Sequence, residues 1–116
     1  MTIRAVVVDD DKDTLNLFCD LLTSHKIKIA GKGRNGQEAV FLYQKLKPDV
    51  TFLDDNMPVV SGVEALQKIR EVKPDAKVIM VTADMSSETK KKLREMKPTD
   101  VIYKPYDVEK IIDHLE

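Results

Sequence analysis

The chain has 116 residues, 42% of them hydrophobic, which is enough for one compact core and not for two. Its 19 basic and 20 acidic side chains nearly cancel, and a net charge of −1 argues against a general nucleic-acid or membrane-surface binder. The single cysteine, Cys19, excludes an internal disulfide framework, no Cys/His cluster has zinc spacing, and the apolar content excludes a disordered chain.

The first apolar run, Ile3 to Val8, is short and β-branched and predicts a strand buried on both faces. Three aspartates follow at once, so MTIRAVVVDDD does not read as a signal peptide. No later stretch approaches the roughly 18 apolar residues of a membrane span, and a cytoplasmic location is expected. Leu15, Phe18 and Leu22 then recur at i, i+3, i+7 and predict a helix, with Asp11 or Asp13 capping its start and Cys19 half-buried on it. Ile27 to Ala30 predicts a second strand, nearer an edge, and Gly31 to Gly36 a loop. That loop lacks the spacing of a phosphate-binding glycine motif.

Ala39, Leu42, Tyr43 and Leu46 form a second helical stripe ended by Pro48. Val50 to Leu53 predicts a third strand, and Asp54 to Gly62 (DDNMPVVSG) a long loop. Ala65, Leu66, Ile69 and Val72 predict a third helix closed by Pro74, and Val78 to Val81 a fourth strand. Glu88 to Met96 is helical by propensity, with only Leu93 and Met96 as large apolar residues. Val101 to Tyr103 predicts a fifth strand, and Val108, Ile111, Ile112 and Leu115 a last helix. Five strands and five helices in strict alternation predict a doubly wound α/β domain over residues 1–116, with a parallel sheet and no separate output domain.

Ligands of such sheets bind at the carboxyl ends of the strands. Here those ends carry Asp9-Asp10-Asp11, Asp54-Asp55, Thr82-Ala83-Asp84 and Lys104-Pro105. Each alone has an ordinary role, an aspartate as a helix cap or turn former, a Lys-Pro pair as a turn. Together they place crowded carboxylates beside a hydroxyl and an ammonium. Two unit charges about 4 Å apart repel by roughly 4 kcal/mol at an effective dielectric of about 20. Either one carboxyl holds a proton or a divalent cation neutralises the cluster, and hard oxygen donors suit Mg²⁺ or Mn²⁺. Such a site predicts metal-dependent phosphoryl chemistry with a carboxylate as the nucleophile.

The ordered set VVVDD, DDNMPVVSG, VTAD and YKPY resembles the receiver domain of two-component response regulators, the CheY-like family, over the whole chain. The resemblance implies a flavodoxin-like strand order 2-1-3-4-5. It implies Asp54 as phosphoacceptor, and Mg²⁺ (Mn²⁺ substituting) held by Asp9, Asp10, Asp54 and the backbone carbonyl of Asn56. It implies Thr82 as the switching hydroxyl, Lys104 as the phosphoryl-pairing lysine and Pro105 after a cis bond. Asn56 and Asp84 stand where the family tunes phosphoryl lifetime, and both being small and polar implies a short one. The donor would be a sensor histidine kinase or phosphotransfer protein. The output would be a downstream protein target on the face of the fourth helix, fifth strand and fifth helix, with neither nucleic acid nor membrane as a direct partner. In this reading the domain catalyses only its own modification.

Two positions depart from the family pattern. Val101 stands where the family carries a switching aromatic, with Tyr103 on the same strand face. Lys97-Pro98-Thr99 replaces a turn of small residues. Two alternatives are a haloacid-dehalogenase-like phosphatase with Asp9 as nucleophile and Asp11 as acid, and a pseudo-receiver that binds without being phosphorylated. The break of the expected Gly-Thr by Lys12-Asp13 argues against the first, and the intact acidic, hydroxyl and lysine positions against the second. His25 and His114 are expected at the surface, and Lys90-Lys91-Lys92 as a solvated face that favours an acidic partner.

Overall fold

The computed structural model describes residues 2–55, 57, 60–83 and 86–104. Five strands and four helices alternate among the described residues: β1 (Arg4–Val8), α1 (Lys12–Ser24), β2 (Lys28–Gly33), α2 (Gly36–Leu46), β3 (Val50–Asp54), α3 (Gly62–Val72), β4 (Val78–Thr82), α4 (Ser87–Met96) and β5 (Asp100–Tyr103). The last helix expected from Val108 to Leu115 lies outside the described residues. All four pairings are parallel, in the order β2-β1-β3-β4-β5. None of the described helices is long and apolar enough to cross a membrane.

The apolar runs are continuous because the central strands are covered on both faces. Ala5, Val7, Phe52, Ile79 and Val81 face α1, whose Leu15, Phe18, Cys19 and Leu22 complete that layer. Phe18 and Phe52 meet edge to face at 5.1 Å between ring centroids, the geometry that ring quadrupoles favour. Val6, Val8, Leu53, Val78 and Met80 face the opposite way, onto Ala39 and Tyr43 of α2, Ala65, Leu66 and Ile69 of α3, and Leu93 of α4. Leu93 is the only buried residue of α4, against four on α1. A fully buried Leu contributes about 2 kcal/mol, so α4 is the most lightly held described helix.

Each helix begins on a side-chain cap just past a strand end. Asp11 accepts from the Asp13 amide and the Thr14 hydroxyl, Asn35 from Glu38, Ser61 from Glu64 and Ser86 from Thr89. Asp11, not Asp13, therefore caps α1. Gly62, first in α3, lies against the carbonyl of Asp54, where any Cβ would collide. That contact presses the start of α3 onto the end of β3.

The second strand runs further than the alternation of side chains predicts. Its pairing with β1 continues to Val8↔Gly33, after a register irregularity between Ala5 and Val6. Gly31 and Gly33 are strand residues because α2 packs directly on them: a Cβ at Gly31 would stand 2.9 Å from Leu46 Cδ1. The other strands and α4 differ from expectation by a residue at an end, where boundaries are soft, and α1, α2 and α3 each begin three residues before the first residue of their apolar stripe.

Thr51, in the middle of β3, is fully buried, and its hydroxyl oxygen has no hydrogen-bond partner among the described residues. A buried orphan hydroxyl costs free energy that an isosteric methyl does not. Thr51→Val is therefore expected to stabilise the fold by about 1 kcal/mol, read as a higher urea midpoint at unchanged slope.

Candidate functional site

Strand register assembles the polar residues at one sheet edge. Val8 pairs with Leu53, so Asp9 and Asp54 end neighbouring strands side by side. Asp54 pairs with Val81 and Thr82 with Tyr103, which brings Thr82 and Lys104 to the same edge. The Lys104 amide donates to the Thr82 carbonyl at 2.8 Å and fixes the backbone from which the lysine side chain returns.

Asp9 and Asp54 are both buried. One Asp9 oxygen accepts from the Asp11 amide at 2.9 Å and the other from Lys104 Nζ at 3.1 Å. The same ammonium lies 3.8 Å from Asp54 Oδ1. Burial opposes the charge on Lys104, but the hydrogen bond to Asp9 and the nearby Asp54 carboxylate outweigh it, and its pKa stands above the ordinary lysine value. The stability contributed by this raised lysine pKa is fully present below the ordinary lysine value and is lost as pH rises through the raised one.

Asp10 is exposed, yet one oxygen each from Asp9, Asp10 and Asp54 lie within 4.8 Å of one another. Ligands on opposite sides of an octahedral Mg²⁺ stand about 4.2 Å apart, so the three carboxylates are already close to the spacing of a hard-cation site. All-oxygen donors with net negative charge fit Mg²⁺ or Mn²⁺ and suit zinc poorly. A cavity of about 540 Å³ opens over the cluster, between Asp54, Asp55 and Ser61 on one side and Thr89, Lys92 and Lys104 on the other. Asp55, expected at this strand end, adds a fourth acid. Ser61, Thr89 and Lys92 were not anticipated here, and Lys92 lies on the cavity wall although the run Lys90-Lys91-Lys92 reads as solvated surface.

Thr82 is fully buried at the end of β4, and Ala83, not Thr82, lines the cavity. Val101 is half-buried against the α2–α4 layer. Tyr103, two residues on, holds its ring 5.8 Å from Lys90 Nζ of α4, a cation–π contact between strand and helix. Asn56, Asp84 and Pro105 lie outside the described residues, as does His114. Arg34 was also missed by the sequence reading. From the loop before α2 it donates twice to the Asp10 carbonyl, and no local pattern in GKGRNG signals a partner 24 residues away.

Comparisons with known proteins agree with this geometry. Residues 5–116 match the family model described as response regulator receiver domain. The chain is 36% identical over 110 residues to protein CcdB of Bacillus subtilis, covering 95% of this chain and 92% of that protein. It is 30% identical over 112 residues to the chemotaxis protein CheY of Thermotoga maritima, covering 97% and 93%. A chain of the CheX-CheY-BeF3-Mg²⁺ complex from Borrelia burgdorferi superposes with a TM-score of 0.89 at 28% identity, covering 97% of this chain and 86% of that one. The phosphatase and pseudo-receiver alternatives are not favoured by these matches.

The crowding of acids has a direct consequence for the metal-free protein. Asp10→Asn removes one negative charge from the cluster without removing a side-chain hydrogen bond found among the described residues. It is expected to raise the urea midpoint by the equivalent of about 1 kcal/mol at low salt, an effect that shrinks as salt is added.

Proposed function

The chain belongs to the response regulator receiver family, a family of phosphoacceptor signalling domains, and from that premise we propose that Asp54 is its phosphoacceptor. The observation that carries the assignment is the placement of Asp54: a buried carboxylate at the end of a central strand, beside Asp9 and within 3.8 Å of the Lys104 ammonium. A phosphohistidine of a sensor kinase or phosphotransfer protein is the donor. An Asp54 oxygen attacks phosphorus in line; the Asp54 O–P bond forms as the donor N–P bond breaks, and the imidazole leaves with the electron pair. Lys104 moves its charge from Asp9 toward the new phosphoryl oxygens. Water later attacks phosphorus; the Asp54 O–P bond breaks, inorganic phosphate leaves and the Asp54 carboxylate is restored.

Asp9, Asp10 and Asp54 are the residues that would hold the divalent cation, with the Asn56 carbonyl as a further donor. Its chemistry there is charge neutralisation of the transferred group. Asn56 and Asp84 are small and polar by sequence, which favours a short phosphoryl lifetime. Location in the cytoplasm follows from a kinase-linked signalling role.

The output is carried by α4 and β5. Thr82 reorients its hydroxyl toward the phosphoryl group and draws the β4–α4 loop inward. Leu93 alone buries α4, so a small bias at the site moves this helix more readily than any other described one. With Val101 in place of a large ring, Tyr103 and its contact to Lys90 are the aromatic link between β5 and α4. The target is a protein docking on that face.

Incubation with acetyl phosphate and Mg²⁺ should add the mass of one phosphoryl group to the wild type and none to Asp54→Asn; labelling that survives in Asp54→Asn would overturn the assignment. Amide exchange should be faster in α4 than in α1 by about an order of magnitude or more in the unphosphorylated protein, and equal protection of the two helices would contradict a lightly held α4.

A further inference from the structure

The three carboxylates that converge at the sheet edge are not held equally well. Asp9 is pinned at both oxygens, by the Asp11 amide and by Lys104. Asp54 is buried at a strand end beside the same lysine. Asp10 is exposed, and no hydrogen bond to its carboxylate is found among the described residues. Its direction is set by its backbone alone. A site that needs three donors at once is limited by the loosest of them, because ordering that side chain costs conformational entropy.

Among the described residues the backbone of Asp10 has one long-range tether. Its carbonyl accepts from Arg34 Nη2 at 2.9 Å and from Arg34 Nε at 3.3 Å. Arg34 is itself delivered from a rigid base. The carbonyl of Gly33 before it accepts from the Asp9 amide at 3.1 Å, and Asn35 after it caps α2. The Gly36 amide then donates to Val60 at 3.0 Å. The guanidinium therefore clamps the β1–α1 turn from the edge strand, between Asp9 on one side and the Asp11 cap on the other.

We propose that Arg34 is a positioning residue for the divalent-cation site, holding the Asp10 peptide so that its carboxylate stays aligned with Asp9 and Asp54. The inference rests on the metal-binding role proposed above. A purely electrostatic role has the opposite sign, since an added positive charge near the cluster repels a cation and its removal tightens binding. The two roles therefore separate cleanly.

The test is calorimetric titration of the full chain with Mg²⁺ for wild type, Arg34→Ala and Arg34→Lys, with the thermal midpoint of each metal-free protein measured alongside. Arg34→Ala should weaken Mg²⁺ binding by about tenfold, as loss of a group supporting a metal ligand does. Arg34→Lys, which keeps one donor, should recover part of that loss, and the metal-free midpoints should agree closely. The loss should persist at high salt, where exposed charges are screened. Binding by Arg34→Ala equal to or tighter than wild type overturns the positioning role while leaving the site intact. A wild type that takes up no Mg²⁺ overturns the metal-binding reading and this inference together.

Discussion

One ammonium group reaches two buried carboxylates at the ends of adjacent central strands. Lys104 bonds Asp9 at 3.1 Å and approaches Asp54 at 3.8 Å, and the exposed Asp10 completes a triangle of negative charge that a single lysine does not balance. The fold enforces this arrangement through register: β1 beside β3, β3 beside β4 and β4 beside β5. Asp9 and Asp54 are packed in and cannot relieve the crowding by turning away. The residual charge suits the edge to a divalent cation, which would neutralise it toward a phosphoryl group.

The rest of the molecule divides into a rigid support and a lightly held reporter. The support is the β2-β1-β3 side, where α1 buries four residues, Gly31 lets α2 sit directly on β2 and Gly62 lets α3 rest on the Asp54 carbonyl. The reporter is α4, joined to the core by Leu93 and to β5 by the Lys90–Tyr103 contact. Its C-terminal connection is held by Arg70, which donates to the carbonyls of Ala76 and Lys97, both at 3.0 Å, and to the Thr99 hydroxyl. That anchor lies at the end of α4 away from the acidic pocket, while Thr89 and Lys92 stand on the cavity wall.

Much of this was legible in the residue order. Buried parallel strands read as unbroken β-branched runs, so β1, β3 and β4 were recognisable at once, and acids, hydroxyl and lysine after those runs had to share an edge. What was hidden depended on partners distant in the chain. Gly31 and Gly33 look like loop residues because nothing local shows that α2 packs on them. Arg34 looks like a solvated arginine because its partner is a carbonyl 24 residues earlier. Lys92 belongs to a basic run whose members are distinguishable only once α4 is placed beside the pocket. Asp11 and Asp13 were equivalent as caps until the helix start was known.

The most direct measurement is a crystal structure of this chain with Mg²⁺ and beryllofluoride, which mimics a phosphoryl group on a carboxylate. The account predicts the mimic on Asp54, the ion among Asp9, Asp10 and Asp54, and the Lys104 ammonium withdrawn from Asp9 onto a fluoride. An ion held elsewhere, or Lys104 still bonded to Asp9 beside an unmodified Asp54, would contradict it.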